Sequence, residues 1–227
     1  MSLKPPKKSD LNKAWMKSKP DKIRKIQPEY HLIVTEGTNT EPAYFEAIKN
    51  IINEKYYNKI KLDIHGKANN TINLFGKALN IVKESPNIYK HVWIVYDTDD
   101  FPAEHVDKVV ELCNKNNTDE TTYHAIWSNQ CIELWFLLHF SYMQSDIHRD
   151  EYKEKLTGYL LSIGEGEYTK NRDDMYKILL PYIDTAIAYA KKLDKINELK
   201  PPSMSAPGTK IYELIEILKP YLIDLEV

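Results

Sequence analysis

The segment from His91 to Asp100 constrains the fold of this chain more than any other. Its apolar and β-branched run, Val92 to Tyr96, predicts a buried strand, which ends in three carboxylates: Asp97, Asp99 and Asp100. Open α/β sheets place their chemistry at such strand ends. Crowded carboxylates suit Mg²⁺, which prefers oxygen ligands and completes its shell with water and phosphate. The same residues also fit a polar turn or a helix N-cap, so this segment alone leaves both interpretations open.

Strand and helix patterns alternate along the first 140 residues. Strands are predicted at 30–35, 59–64, 91–97 and 121–127, and helices at 40–52, 70–82, 102–114 and 130–140. This alternation predicts an α/β fold with right-handed crossovers and a mostly parallel sheet flanked by helices. Glu36 and Asp97 then both leave the carboxyl ends of strands, at one edge of the sheet.

The sequence predicts three regions. Residues 1–28 form a basic, flexible arm, with nine lysines and arginines against two aspartates. Contact with a polyanion and simple solvation are both compatible with such an arm. Residues 29–140 form the α/β core, and 141–227 form a C-terminal helical region. That region contains a polar stretch, a predicted helix at 173–193, a loop at 201–209 and an amphipathic helix at 210–219 that Pro220 should end.

Composition excludes several classes of protein. The two cysteines, Cys113 and Cys131, form neither a close ligand pair nor a secreted disulfide framework, which points to a reducing compartment. Apolar runs are much shorter than the roughly 20 residues that span a bilayer. With a net charge of −2, the chain is expected to be cytoplasmic and to have no membrane partner.

Glu36 and the Asp97-x-Asp99 pair together resemble the Toprim domain of topoisomerases, bacterial primases and several nucleases. In the Toprim pattern a glutamate ends one strand and an Asp-x-Asp pair ends the strand beside it. The resemblance implies that Glu36 transfers a proton or binds metal, and that Asp97 and Asp99 bind Mg²⁺ or Mn²⁺.

Three longer segments, 32–45, 92–101 and 128–140, are similar in order and spacing to the RloB family of bacterial defence proteins. Members resemble AbiLii-type abortive-infection proteins and are usually encoded beside an ABC-class or AAA-like ATPase. The resemblance implies a metal-dependent nuclease that cuts RNA, such as tRNA, or DNA during phage infection. The alternative is a regulatory subunit of the ATPase system that binds nucleic acid or nucleotide without cleaving. A homodimer through the C-terminal helices is compatible with either.

Two further carboxylates are candidates for the site. Glu41 opens a helix, where it would complement the positive helix end or act as a metal ligand. Glu133 lies within an apolar segment, where an unpaired charge costs several kcal/mol, so it should reach the metal edge or pair with a basic residue. We favour a catalytic role for Glu133. His139 lies on the opposite helix face and is predicted to be a core or interface residue.

Basic residues near loops are candidates for contact with a scissile phosphate. Lys210 follows Pro207-Gly208-Thr209 and begins the last helix, so it joins the predicted catalytic set. Lys170 and Arg172 are further candidates, because arginine offers a bidentate fork and lysine a point charge. For each of them, a solvated surface residue is the alternative.

Overall fold

The computed structural model describes residues 27–66, 71–98, 101–145 and 147–222, and within them five strands form one sheet. The strand order is β2 (Ile60–His65), β1 (Glu29–Thr35), β3 (Tyr89–Asp97), β4 (Thr122–Asn129) and β5 (Gly208–Thr209). The first four strands are parallel, and the short β5 pairs antiparallel with the end of β4. The predicted α/β class with a mostly parallel sheet is therefore confirmed.

Helices cover both faces of this sheet. They are α1 (Thr40–Lys55), α2 (Thr71–Glu84), α3 (Ala103–Asn116), α4 (Glu133–Leu138), α5 (Arg149–Ser162), α6 (Met175–Leu179), α7 (Ile183–Ile196) and α8 (Ile211–Leu218). Three 3₁₀ turns, 180–182, 202–204 and 219–221, complete the C-terminal half. The last turn contains Pro220, so α8 ends where the sequence predicts. Within the described residues, no helix combines the length and the apolar character needed to cross a bilayer.

Two hydrophobic cores lie on opposite faces of the sheet, because side chains alternate along a strand. Leu32 and Val92 pack against α2 and α3. Ile33 and Trp93 face the second core, which α1 shares with the C-terminal helices. Across this second core, the indole N–H of Trp135 donates to the Tyr44 hydroxyl at 3.0 Å and ties α4 to α1. The C-terminal helices thus complete the core beneath one face of the sheet.

Several local predictions differ from the structure. Helix α5 occupies a stretch predicted to be mixed and polar. Its buried stripe consists only of Tyr152, Leu156 and Leu160, so its apolar pattern is too weak to predict a helix. Helix α4 is shorter than predicted, since β4 continues to Asn129. Strand β5 lies in a segment predicted to be a loop. Residues 1–26, which make up nearly all of the predicted basic arm, lie outside the described residues.

Candidate metal centre

The carboxyl ends of β1 and β3 lie side by side. Thr35 is the register partner of Val95, and the Glu36 amide donates to the Val95 carbonyl at 3.1 Å. Strand β2 pairs with the other side of β1, so the additional strand between Glu36 and Asp97 in sequence does not separate them in the sheet. The two acidic strand ends are therefore neighbours.

The turn after β1 is tightly packed. A Cβ atom added at Gly37 would overlap the Glu41 carboxylate, so this position accepts only glycine while Glu41 keeps its place. A Cβ added at Gly66, just after β2, would lie 3.1 Å from the Gly37 carbonyl oxygen. The Thr35 hydroxyl donates to that same carbonyl at 3.3 Å. Close backbone approach thus fixes the turn and, with it, the start of α1.

A cavity of about 240 Å³ opens between this turn and the start of α4. We call it the acidic cavity, and its lining residues are Gly37, Thr38, Asn39, Thr40, Glu41, Asp97, Ile132, Glu133 and Lys170. Three of the lining residues are carboxylates, and Lys170 is the basic one. The structure therefore brings Glu41, Asp97 and Glu133 together from three separate parts of the sequence.

Glu41 lies in the first turn of α1 and is only 6% exposed. Burial raises its pKa above the ordinary carboxyl value, and repulsion from Glu133 raises it further. Hydrogen bonds from the backbone N–H groups of Glu41 and Gly37, together with the charge of Lys170, oppose this rise in pKa. Glu41 therefore accepts hydrogen bonds from backbone N–H groups at the start of α1, and it also lines the cavity. Both sequence interpretations of this residue are compatible with that position.

Glu133 begins α4 and is 2% exposed. The Tyr168 hydroxyl donates to Glu133 Oε1 at 3.0 Å, so Glu133 is held here by a hydroxyl and not by a basic side chain. Burial and the neighbouring Glu133 raise the pKa of Tyr168, which keeps this hydroxyl protonated. Burial, then Glu133 and Asp97, likewise raise the pKa of the Cys131 thiol, which places Cys131 near both carboxylates.

A loop before α6 forms the rim of the acidic cavity. The Thr40 hydroxyl donates to the Lys170 carbonyl at 3.0 Å, and the N-cap position of α1 is Asn39. The Arg172 guanidinium holds Asp174 through two bonds of 2.8 Å and donates to the Glu165 carbonyl at 2.7 Å. Arg172 therefore braces the loop, and Lys170 is the basic residue that it presents to the cavity.

Glu36 lies at the strand end but is not among the residues that line the cavity. Its two carboxylate oxygens are shielded from solvent. Its charge contributes to raising the pKa of Tyr96, which packs in the core beneath α2 and α3. Asp97, by contrast, lines the cavity, although the backbone of Glu36 is bonded to the same strand. Asp99, which the sequence pattern assigns to the same site, lies outside the described residues, as does Asp100.

Lys210 lies elsewhere. Its ammonium is 2.7 Å from Asp194 and 3.0 Å from Glu213, and its backbone N–H donates to the Trp127 carbonyl on β4. It lines a different cavity, beside α3 and β4, together with Tyr123. The structure does not bring Lys210 into the acidic cavity.

Two neighbours of the carboxylates carry no signal in the sequence analysis. Tyr168 lies 35 residues after Glu133, in a loop among many other tyrosines, so nothing local marks it as a partner. Cys131 is noted from the sequence only as one of two cysteines that form no ligand pair, although it lies two residues before Glu133. By contrast, His139 is 2% exposed and packs edge-on against Trp135, which confirms it as a core residue.

A comparison with protein families gives one finding. A family model described as RloB-like protein matches residues 31–218, a range that takes in most of β1, all of β3 and the described residues that line the acidic cavity. No match was found among curated proteins or among solved structures.

Proposed function

Since the chain belongs to the RloB-like family, we propose that it is a divalent-metal-dependent nuclease that acts as the effector of a bacterial anti-phage abortive-infection system. The observation that carries this proposal is the convergence of Glu41, Asp97 and Glu133 in one cavity at the carboxyl edge of the parallel strands. An ABC- or AAA-type ATPase is the partner that the family resemblance implies. The substrate class is RNA, such as tRNA, or DNA.

The donor set of the cavity fits Mg²⁺ or Mn²⁺. All three acidic side chains offer hard oxygen atoms, which these ions prefer. The raised pKa of Glu41 is a second argument, because it reflects burial and repulsion from Glu133 that a bound cation would relieve. Asp97, Glu41 and Glu133 would hold the ion, and Asp99 joins them in the Toprim assignment.

A bound divalent ion neutralises charge on the non-bridging oxygens of a phosphodiester and lowers the pKa of an attacking water. The residues of the chain supply the remainder of the site. Tyr168 fixes the Glu133 carboxylate through its 3.0 Å hydrogen bond. Lys170 offers a point charge to a phosphate at the rim. Thr40 holds the backbone of Lys170 at the start of α1.

Glu36 keeps, in this proposal, the role of proton carrier or metal ligand that the Toprim pattern assigns to it. Because Glu36 is not among the described residues that line the cavity, the Glu36→Gln variant is informative. A loss of cleavage equal to that of Asp97→Asn would place Glu36 in the reaction. Cleavage near the wild-type rate would leave the chemistry to the carboxylates that line the cavity.

The test combines binding, cleavage and toxicity. We expect the purified chain with Mg²⁺ or Mn²⁺ to cut RNA or DNA, and expression to be toxic in cells that carry the neighbouring ATPase. Asp97→Asn and Glu133→Gln should abolish both effects and weaken Mn²⁺ binding in calorimetry. Glu46→Gln is the matched control, because Glu46 lies on α1 but pairs with Lys49 at 3.0 Å outside the cavity.

Two outcomes would contradict the nuclease. Cleavage or toxicity that persists in Asp97→Asn would show that the cavity is not the active centre. Full phage protection by that variant would favour the alternative, a subunit that binds nucleic acid or nucleotide without cutting. Among the described residues, Arg172 and Lys210 are held by carboxylates, so of the three predicted phosphate contacts Lys170 is the one that lines the cavity.

A further inference from the structure

Three histidines and a glutamate meet at the amino edge of the sheet, where β1, β3 and β4 begin. His31 and His91 are register partners on adjacent strands, and His91 lies 2.9 Å from His124. Glu29 lies two residues before His31, so both project from the same face of β1. We call these four residues the histidine cluster. A strand rises about 3.3 Å per residue, so the cluster lies about 20 Å from the acidic cavity.

The distances between potential ligand atoms are short. Glu29 Oε1 is 2.9 Å from His31 Nε2 and 3.9 Å from His91 Nε2. One ligand atom from each of the three residues lies within 4.8 Å of the other two. Bonds of about 2.0–2.1 Å to a tetrahedral zinc ion place neighbouring ligand atoms about 3.4 Å apart. The observed distances lie on both sides of that value, so small side-chain rotations would complete the geometry.

The ring of His91 is held in the orientation that a metal ligand needs. Its Nδ1 atom is 2.9 Å from His124 Nε2, and in the tautomer in which His91 Nδ1 donates this bond, the lone pair is at His91 Nε2, 3.9 Å from Glu29 Oε1. A hydrogen bond to the second ring nitrogen is the usual way in which proteins orient a ligating histidine. The Trp93 indole stacks on His124, with ring centroids 4.0 Å apart, and also on His91. This aromatic stack fixes both rings.

The histidines are neutral, which is the form that binds metal. Burial lowers the pKa of His31 to about 4 and also lowers the pKa of His91. The indole N–H of Trp93 donates to His31 Nδ1 at 3.4 Å. Metal binding at His31 Nε2 moves the ring proton to Nδ1 and gives up this long bond. The second oxygen of Glu29 is held by Lys90 at 2.7 Å, so Oε1 remains directed at the histidines.

We propose that Glu29, His31 and His91 bind a divalent transition-metal ion of the zinc type, with water in the remaining position, and that this ion joins the starts of β1 and β3. Two imidazoles with one carboxylate form a donor set for zinc and its neighbours in the periodic table rather than for Mg²⁺. His124 is the positioning residue, since it acts through His91. This site is independent of the proposed nuclease centre.

The test is a zinc titration of the full chain after treatment with a chelator. We expect calorimetry in excess Mg²⁺ to show one Zn²⁺ bound per chain, with a rise in Tm and a change in tryptophan fluorescence as Trp93 loses its bond to His31. Glu29→Gln and His91→Asn should each lower the zinc affinity at least about tenfold. Co²⁺ should give the visible absorption of a four-coordinate ion in the wild type.

Two control variants separate this site from other zinc binding. His105→Asn removes a surface histidine that also lies near a glutamate, with His105 Nε2 4.0 Å from Glu104, and should leave zinc affinity unchanged. Asp97→Asn should leave it unchanged as well, because Asp97 belongs to the acidic cavity. Glu29 is partly exposed, so Glu29→Gln is expected to fold even if His91→Asn does not. Absence of zinc binding, or equal affinity in the wild type and Glu29→Gln, would overturn the proposal.

Discussion

The two edges of one sheet carry polar clusters of opposite character. At the carboxyl edge, Glu41, Asp97 and Glu133 line one cavity with Lys170, so acidic groups outnumber basic ones. At the amino edge, the imidazoles of His91 and His124 stack on Trp93, and Glu29, the carboxylate of the histidine cluster, already binds Lys90. Among the described residues, the carboxyl edge is therefore rich in carboxylates, whereas the amino edge holds neutral imidazoles with nitrogen lone pairs.

Burial is the common cause of both states. Removal from water disfavours the charged form of any group, so it raises the pKa of Glu41 and lowers the pKa of His31. At the carboxyl edge the result is a group that a hard cation would stabilise. At the amino edge the result is a neutral imidazole, whose nitrogen lone pair can bind a metal ion. The same physical effect thus prepares the two edges for different ions.

The largest expected difference between the edges is in catalysis. Asp97→Asn should reduce Mg²⁺-dependent cleavage by at least about 100-fold, because it removes a proposed metal ligand. Glu29→Gln should leave that cleavage within about twofold of the wild type, since its edge lies about 20 Å away. Cleavage rates measured over a Mg²⁺ series for both variants make the comparison. Equal losses in the two variants would mean that the edges do not act separately.

His139 tests whether burial alone keeps an imidazole neutral, because it belongs to neither edge. Burial lowers its pKa from 6.5 to about 4, although its Nδ1 atom bonds the Trp135 carbonyl at 2.9 Å. A lowered pKa gives stability that is present above pH 6.5 and is lost as the pH falls toward 4. The shift corresponds to about 3 kcal/mol over that window.

We therefore expect His139→Phe to flatten the dependence of stability on pH. Urea unfolding at neutral pH and near the acid end of the window gives the difference in free energy of unfolding at each pH. The wild type should lose up to about 3 kcal/mol more than the variant on acidification. An identical acid loss in both proteins would show that His139 does not titrate in this way.

The Tyr168→Phe variant tests the hydrogen bond to Glu133 at the carboxyl edge. The variant removes the hydroxyl that donates to Glu133 and leaves a buried carboxylate with one donor fewer. We expect a loss of about 1–3 kcal/mol in the free energy of unfolding, measured by urea titration. Tyr182→Phe is the control, because Tyr182 is 37% exposed and its change should stay within about 0.5 kcal/mol. Equal effects of the two variants would argue against this hydrogen bond.

Glu41→Gln should have the smallest effect, and its sign is informative. Because the folded state raises the pKa of Glu41, ionisation of this residue destabilises the fold at neutral pH. The amide removes the repulsion from Glu133, so a small rise in Tm is expected at pH 7 together with weaker Mn²⁺ binding. The gain should vanish below the ordinary carboxyl pKa of 4.5, where wild-type Glu41 is also protonated. Glu46→Gln should give no such gain, and a fall in Tm at pH 7 for Glu41→Gln would contradict this account.

Regular elements with a strong pattern could be predicted from sequence. The continuous apolar run in β3 is typical of a buried strand. In α1, the spacing of Tyr44, Phe45, Ile48 and Ile52 is typical of a helix with one apolar face, so both elements can be predicted from local sequence. The weak stripe of α5 and the two-residue β5 could not be predicted, because their stability comes from packing against distant parts of the chain.

The candidate sites show the same division. The sequence marks Asp97, Glu41 and Glu133 by their unusual positions at a strand end, a helix start and within an apolar run. It does not mark Tyr168, and it does not reveal that Glu29, His31 and His91 are neighbours, because this depends on the register of β1 against β3.

By itself, the sequence determined the α/β class, the acidic ends of two strands and the family to which the chain belongs. These depend on local periodicity and on the order of motifs along the chain. The tertiary structure alone decided that β2 lies on the far side of β1, which carboxylates share a cavity and that Lys210 lies apart. Strand order and side-chain direction are set by packing between distant residues, and that packing is a property of the folded chain as a whole.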